Sequence, residues 1–336
     1  MTKPIVVVGS INMDLVARTH TIPRPGETVI GTGFETTPGG KGANQAVAVA
    51  RLGYPVKMVG MVGEDVFGQA LLKNLADNDV GVWAVDRVEG PSGVAPILLA
   101  ESGENSIVVV PGANGKVDCD YIDKNAELIR GAGMVLLQLE IPIPTNARVM
   151  EICAEAGVPV MLDPAPAAPL HGAAFWKAAW MTPNETEAAL YLGGAMEPEA
   201  AAKEFLSRGV QGVVLKRGAE GAYVAAPVPK EGPGAPIPSQ VSKSRPGAPD
   251  SSQVPTKGPE WVPAFKVEPV DTVGAGDCFN GAFAVALMEG RDPWEAARFA
   301  SAAAAISVTR RGAQASMPTR AEVEDFLARQ ENGRSG

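Results

Sequence analysis

Met134-Val-Leu-Leu-Gln-Leu-Glu140, the segment Thr145 to Ala156, and Val158-Pro-Val-Met-Leu-Asp163-Pro164 form the stretch whose pattern decides the fold. An apolar run of strand length ends on a carboxylate, a helix-length segment follows, and a second apolar run ends on Asp163. Runs apolar at every position, rather than every second one, belong to parallel strands covered on both faces. The rhythm continues with a strand at 180–182, helices over 184–192 and 199–207, and a strand at 212–216. Upstream, 4–9 and 56–60 read as strands and 65–77 as a helix, with further strands at 95–100 and 106–110. Strands alternating with helices predict an α/β fold with a doubly wound, mainly parallel sheet flanked by helices. Ligands of such sheets bind beyond the carboxyl ends of the strands. Glu140, Asp163, Asn184, Lys216 and a glycine turn at Gly274 all follow such ends.

That turn is Asp271-Thr-Val-Gly-Ala-Gly-Asp277, opening an Ala-rich helix over 274–288 that a second helix over 293–309 follows. Glycines before a helix aim backbone N–H groups and the positive end of the helix at one point, which attracts anions. Asp277 fits a phosphate site poorly, and capping of the helix is the simpler reading of the motif alone. Upstream, Gly39-Gly-Lys-Gly-Ala-Asn-Gln-Ala46 opens another helix that stops at Gly53. Its glycines permit close approach to a ligand, with Lys41 and Asn44 as donors. Lys41 is followed by glycine rather than Ser or Thr, so this is no Walker A loop. In Ser10-Ile-Asn-Met-Asp-Leu-Val16, Asn12 and Asp14 share one face of an extended segment. Alternation alone leaves open whether that face is a site or a solvated edge. Asn184-Glu-Thr-Glu187 has the spacing of a capping box, which by itself would explain both residues.

The 336 residues suffice for a large core, with 46% apolar and 20% charged residues, as in an ordinary globular protein. The net charge of −9 and the lack of a basic stripe argue against nucleic acid as a partner. No apolar run reaches the roughly 18 residues of a membrane span, and the N-terminal stretch turns polar after one short strand, unlike a signal peptide. Three scattered cysteines without metal-ligand spacing point to a reducing, cytoplasmic setting. Only two histidines occur, against a His-based metal site or triad. Between Ala226 and Pro263 prolines recur among Gly, Ser and Lys without periodicity, which predicts a Pro-rich, disordered insertion over 227–262. The strand-like segments 221–224 and 265–270 flank it and are expected to pair.

Taken together and in order, these blocks resemble the ribokinase-like carbohydrate kinase family over essentially the whole chain. The resemblance implies one kinase domain over 1–336 with a small β lid built from segments at about 14–34 and 84–110. It implies transfer of the ATP γ-phosphoryl group to a sugar hydroxyl, with Asp277 as base and Gly274, Ala275 and Gly276 as anion hole. Asn12, Asp14, Gly40, Lys41, Gly42, Asn44 and Glu140, with Asp277, match the residues that hold the sugar. Asn184, the loop Lys216, Arg217, Gly218, Ala219, Glu220 and Gly221, then Gly276, Asp277 and Ser301 match the nucleotide site. Glu187 matches a residue that organises Mg²⁺ through water. Asp271, Val273, Ser307, Arg310, Gly312 and Ser316 match the loops around an activating K⁺. Relatives with such a lid often pair as dimers, so the resemblance implies a homodimer. The Asn12/Asp14 pair, the full Gly39–Gln45 block and Glu140 lean towards D-ribose, phosphorylated at O5. Fructose, a deoxy-ketosugar acid, deoxyribose, adenosine, or a non-catalytic sugar- or nucleotide-binding role are the alternatives. The chain departs from the family pattern at the insertion, at Lys216-Arg217 where Thr-Leu is more usual, and at Ser301 where Asn or His is frequent.

Overall fold

The computed structural model describes residues 2–170, 172–226 and 258–332. Among these, nine strands form one sheet in the order β13-β12-β11-β10-β9-β8-β1-β4-β5. They are β1 (Ile5–Val8), β4 (Val56–Gly63), β5 (Gly81–Val88), β8 (Met134–Leu137), β9 (Val160–Leu162), β10 (Trp180–Met181), β11 (Val213–Lys216), β12 (Gly221–Ala225) and β13 (Glu260–Pro263). The strands from β5 to β11 run parallel, and β12 and β13 add an antiparallel edge. β1 lies between β4 and β8, in register Val8 to Val59 and Leu137. The chain therefore builds outward from β1 in both directions, and the crevice between β1 and β8 is the switch point where α/β sheets bind ligands.

Apolar residues at consecutive positions serve two different cores. Ile5 and Val7 join Leu136 and Met161 on one face, under helices α1 (Lys41–Arg51), α8 (Ala275–Met288) and α9 (Pro293–Val308). Val6 and Val8 join Leu137 and Leu162 on the other, under α5 (Ile143–Ala156), α7 (Pro198–Ser207) and two short helices, α3 (Cys119–Lys124) and α4 (Ala126–Arg130). Small residues bring α1 and α8 together: a Cβ on Gly281 would lie 2.6 Å from the Ala48 Cβ. The fold is completed by α2 (Val66–Asp77), α6 (Glu185–Leu192) and α10 (Arg320–Asn332).

The second sheet has the order β3-β2-β6-β7, with β2 (Asn12–Thr19), β3 (Gly33–Gly39), β6 (Gly93–Ala100) and β7 (Asn105–Ile107). β2 leaves the end of β1 directly, and β3 delivers the chain to α1. The lid segments predicted at about 14–34 and 84–110 are thereby redrawn. β3 runs on to Gly39, while residues up to Val88 belong to β5 of the main sheet, an edge strand whose mixed exposure hid it. Within the first of these segments, the stretch joining β2 to β3 is irregular. β12 pairs with Glu260–Pro263 and not with 265–270, because Trp261 stacks edge-on against Tyr223 and Val262 turns into the core. The partner strand thus lies inside the stretch read as insertion, and residues 227–257 of that stretch lie outside the described residues.

Candidate active site

At the start of α8 the helix is capped by Gly274 in a left-handed conformation (φ 74°), with no side chain capping it. A Cβ there would meet the Ala313 Cβ at 2.9 Å, so glycine is required by both space and φ. The first intrahelical bond is Cys278 N–H to the Gly274 carbonyl, 2.8 Å, leaving the Gly276 and Asp277 N–H groups ahead of the helical ladder.

Capping does not account for Asp277. Its carboxylate accepts from two amides of α1, Asn44 Nδ2 at 2.9 Å and Gln45 Nε2 at 3.1 Å. The side chain is 5% exposed. Burial pushes its pKa up, opposed by the Lys41 ammonium and raised further by Asp163; the two amides pull it down. Such a carboxylate is dry, oriented and more basic than usual, as a proton acceptor should be.

The amides are themselves held. Gln314 Nε2 donates to Asn44 Oδ1 at 3.0 Å, and Asn74 Nδ2 to Gln314 Oε1 at 2.6 Å. Gln138 Nε2 donates to Gln45 Oε1 at 2.8 Å. Gln45 Nε2 also reaches Asp163 Oδ2 at 3.1 Å, whose Oδ1 pairs with Lys216 Nζ at 3.1 Å. Asp163 lies at the rim where the sequence places it, but neither it nor Gln45, Gln138 or Gln314 is legible as part of the site. Gln45 adjoins Asn44 in the glycine block, the one sequence signal that could have found it.

The sugar-matched residues gather at the same place. Asn12 and Asp14 are buried, at 2% and 8% exposure, so their face of β2 is no solvated edge. Asn114 anchors the first: its Nδ2 donates to Asn12 Oδ1 at 2.7 Å while its Oδ1 accepts from Ile11 N–H at 2.9 Å. Asp14 is pushed up to about 7, chiefly by burial and then by the charges of Glu140 and Asp277. Glu140 Oε2 accepts from Ser10 Oγ at 2.5 Å and from the Lys41 N–H at 3.0 Å, capping α1 from the loop that follows β8. Burial alone would lower the Lys41 pKa, but Asp277, Asp163, Glu140 and Glu187 together hold it above the usual range. The Lys41 ammonium thus shares with Lys216 the charge of the surrounding carboxylates.

The glycines of this block have a different use from the one the sequence suggests. Cβ atoms on Gly40 and Gly42 would meet Asn12 N and Ser10 N, each at 2.7 Å, and one on Gly39 would strike the Asp14 carboxylate at 2.3 Å. They admit the protein's own β1–β2 backbone, from which Asn12 and Asp14 project.

Asn184 and Glu187 form a complete capping box on α6, Asn184 Oδ1 accepting from Glu187 N–H at 2.9 Å and Glu187 Oε2 from Asn184 N–H at 2.8 Å. Asn184 also bridges to Lys216 on the neighbouring strand. Burial and then Asp163 raise the Glu187 pKa, while Lys216, the Asn184 N–H and Lys41 oppose this. Arg217 points elsewhere, to Glu185 at 2.7 Å and over the Trp261 ring. Gly218, Ala219 and Glu220 form an exposed turn. Gly221 packs its backbone against Val262 O, and Ser301 is buried in α9. Asp271 ties two loops together by accepting from Val273 N–H at 3.0 Å and Gly312 N–H at 2.9 Å. Ser307 and Ser316 are joined Oγ to Oγ at 2.9 Å, whereas Arg310 pairs outward with Glu322 at 2.6 Å.

The pfkB family carbohydrate kinase profile matches residues 2–320. The chain is 44% identical to the ribokinase of Bacillus subtilis over 331 residues, covering 97% of this chain and 100% of that protein. It is 39% identical to the Schizosaccharomyces pombe ribokinase, covering 95% and 96%. The structure of Arabidopsis thaliana ribokinase complexed with ribose and ATP is similar to this one with a TM-score of 0.82, at 34% identity, covering 97% of this chain and 99% of that one. With a buried carboxylate of raised pKa, a glycine turn and a cluster of buried polar side chains brought together, and with these likenesses over nearly its whole length, the chain belongs to the pfkB family of carbohydrate kinases.

Proposed function

We propose that the protein phosphorylates D-ribose at O5, with ATP as donor, giving D-ribose 5-phosphate and ADP. The observation that carries this reading is the Asp277 carboxylate, withheld from its own helix and aimed by two α1 amides. Asp277 takes the proton of the sugar 5-hydroxyl as the new O–P bond forms. The bond between the γ-phosphorus and the bridging oxygen breaks, and ADP leaves. The N–H groups of Gly274, Gly276 and Asp277 receive the charge on the phosphoryl oxygens as it crosses, whereas the Ala275 N–H is already given to the Thr272 carbonyl at 3.2 Å. Asn12, Asp14, Lys41 and Asn44 hold the sugar hydroxyls, and the Gly40–Gly42 backbone seats these side chains. Glu140 supports them by capping α1. Asn184, the loop 216–221 and Ser301 border the nucleotide.

Magnesium, when bound with the nucleotide, shields the charge of the phosphate oxygens. Among the described residues no group of three or more His, Cys, Asp or Glu could hold a metal ion. This suits an ion carried on phosphates and water. Both Glu187 oxygens already accept from Asn184, which fits contact through water rather than direct ligation. For K⁺, Asp271 spends its carboxylate on two N–H groups, so an ion between these loops would meet main-chain carbonyls of 271, 273, 307, 310, 312 and 316. We read the protein as a homodimer, since the lid region exposes Ile30, Phe34 and Val108.

A panel of sugars with coupled detection of ADP tests the function. D-Ribose is expected to turn over fastest, and faster turnover of fructose, 2-deoxyribose or adenosine would overturn the assignment. In the same assay Asp277→Asn should lose about 10² to 10⁴ in kcat while still binding ribose; unchanged turnover would remove Asp277 as base.

A further inference from the structure

Lys216 ends β11 and its side chain is only 15% exposed. Its Nζ lies 3.1 Å from Asp163 Oδ1. The same Nζ is the nearest atom from outside α8 to the position a Cβ on Gly276 would take, at 3.6 Å. The ammonium therefore stands over the anion turn, one residue from Asp277. Only one of its three N–H donors is taken by Asp163. Asp163 is steadied independently by Gln45, whose amide also holds Asp277. The adjacent Arg217 is committed to Glu185 and Trp261 and cannot serve instead.

We propose that Lys216 is a further catalytic residue, whose remaining N–H donors bind the terminal phosphoryl oxygens of the nucleotide while Asp163 keeps hold of the ammonium. No bond to Lys216 forms or breaks; it supplies positive charge where negative charge builds up during transfer. The proposal rests on the reading of the protein as an ATP-dependent kinase. Asp163 tethers a flexible side chain in advance, so less rotamer freedom is lost when phosphate arrives.

Titration calorimetry of ATP and AMP against the full chain, in magnesium buffer and without sugar, tests it. Lys216→Met should weaken ATP binding about tenfold to a hundredfold, as for a lost charge-assisted hydrogen bond, and leave AMP nearly unchanged. Lys216→Arg, which keeps the charge, should recover most of the loss. The double variant Lys216→Met with Asp163→Asn separates phosphate contact from mere compensation of Asp163. Continued weak ATP binding in the double variant supports the contact, and recovery to wild-type affinity overturns it. Wild-type affinity in Lys216→Met overturns it too, as does a native protein that binds ATP no better than AMP. Because the titration contains no sugar, a failed sugar panel and a failed Lys216 contact are told apart.

Discussion

Asp14 shows how far a buried charge can be shifted by its surroundings. Its pKa rises from 3.8 to about 7 because the carboxylate is buried and then because Glu140 and Asp277 repel its ionised form. The folded state thus binds the Asp14 proton more tightly than the unfolded chain does. The stability this contributes is present below about pH 4 and is lost as pH rises through about 7. At about 1.4 kcal/mol per pKa unit, the ionised carboxylate costs a few kcal/mol in the sugar-free protein. Asp14→Asn should therefore melt a few degrees above the native protein at pH 8, and this advantage should shrink on going to pH 5. Its affinity for ribose should fall, since a hydrogen-bond acceptor of the site becomes neutral. A melting difference that is the same at both pH values would dismiss the electrostatic account. The same burial that destabilises the empty pocket leaves polar groups to be satisfied by a sugar.

Among the elements, the start of α1 carries the tightest geometry. The approach of Gly42 to Ser10 is backbone against backbone, so no rotamer change can relieve an added methyl group. Gly42→Ala should push the β1–β2 junction aside, costing about 1–3 kcal/mol as overpacking does. Because Asn12 and Asp14 ride on that junction, the KM for ribose should rise with the loss of stability. Urea unfolding and steady-state kinetics measure the two, and wild-type values of both would show that the junction has slack. α6 makes the contrasting case. Its capping box was readable from Asn184 and Glu187 as a local device, and the structure contains it in full. Being a cap does not remove these residues from the rim. The cap sets the direction of a helix that starts beside Lys216.

At the scale of the whole molecule, the small sheet carries exposed apolar side chains. Phe34 is 69% exposed on β3, and Ile107 to Val110 are exposed at the other side of the sheet. A second copy of the chain would cover them, and sedimentation should give twice the 34.7 kDa chain mass. Phe34→Glu should shift the protein to a monomer and raise the KM for ribose. A native monomer, or a dimer unaffected by the substitution, would refute lid pairing.

The alternation of apolar runs and helices determined the parallel sheet by itself, because strands buried on both faces must be apolar at every position. The polar residues at strand ends and the two glycine blocks likewise marked the rim, since local signals of turns and helix starts are written in neighbouring residues. Tertiary structure decided what those signals serve. The glycines of 39–42 proved to admit the protein's own backbone, and Asp277 proved to be no cap because residues 233 and 232 positions away claim its oxygens. Gln138 and Gln314 joined the site through contacts between distant segments, which no spacing in the chain encodes, and the same contacts gave Gln45 and Asp163 their part in it. β5 and the pairing of β12 with β13 were also settled only by packing, for edge strands carry weak patterns and take whichever neighbour buries their side chains. Local sequence could specify where a helix starts and which strands are covered, whereas the charge state and aim of the Asp277 carboxylate depend on distant groups that meet only on folding.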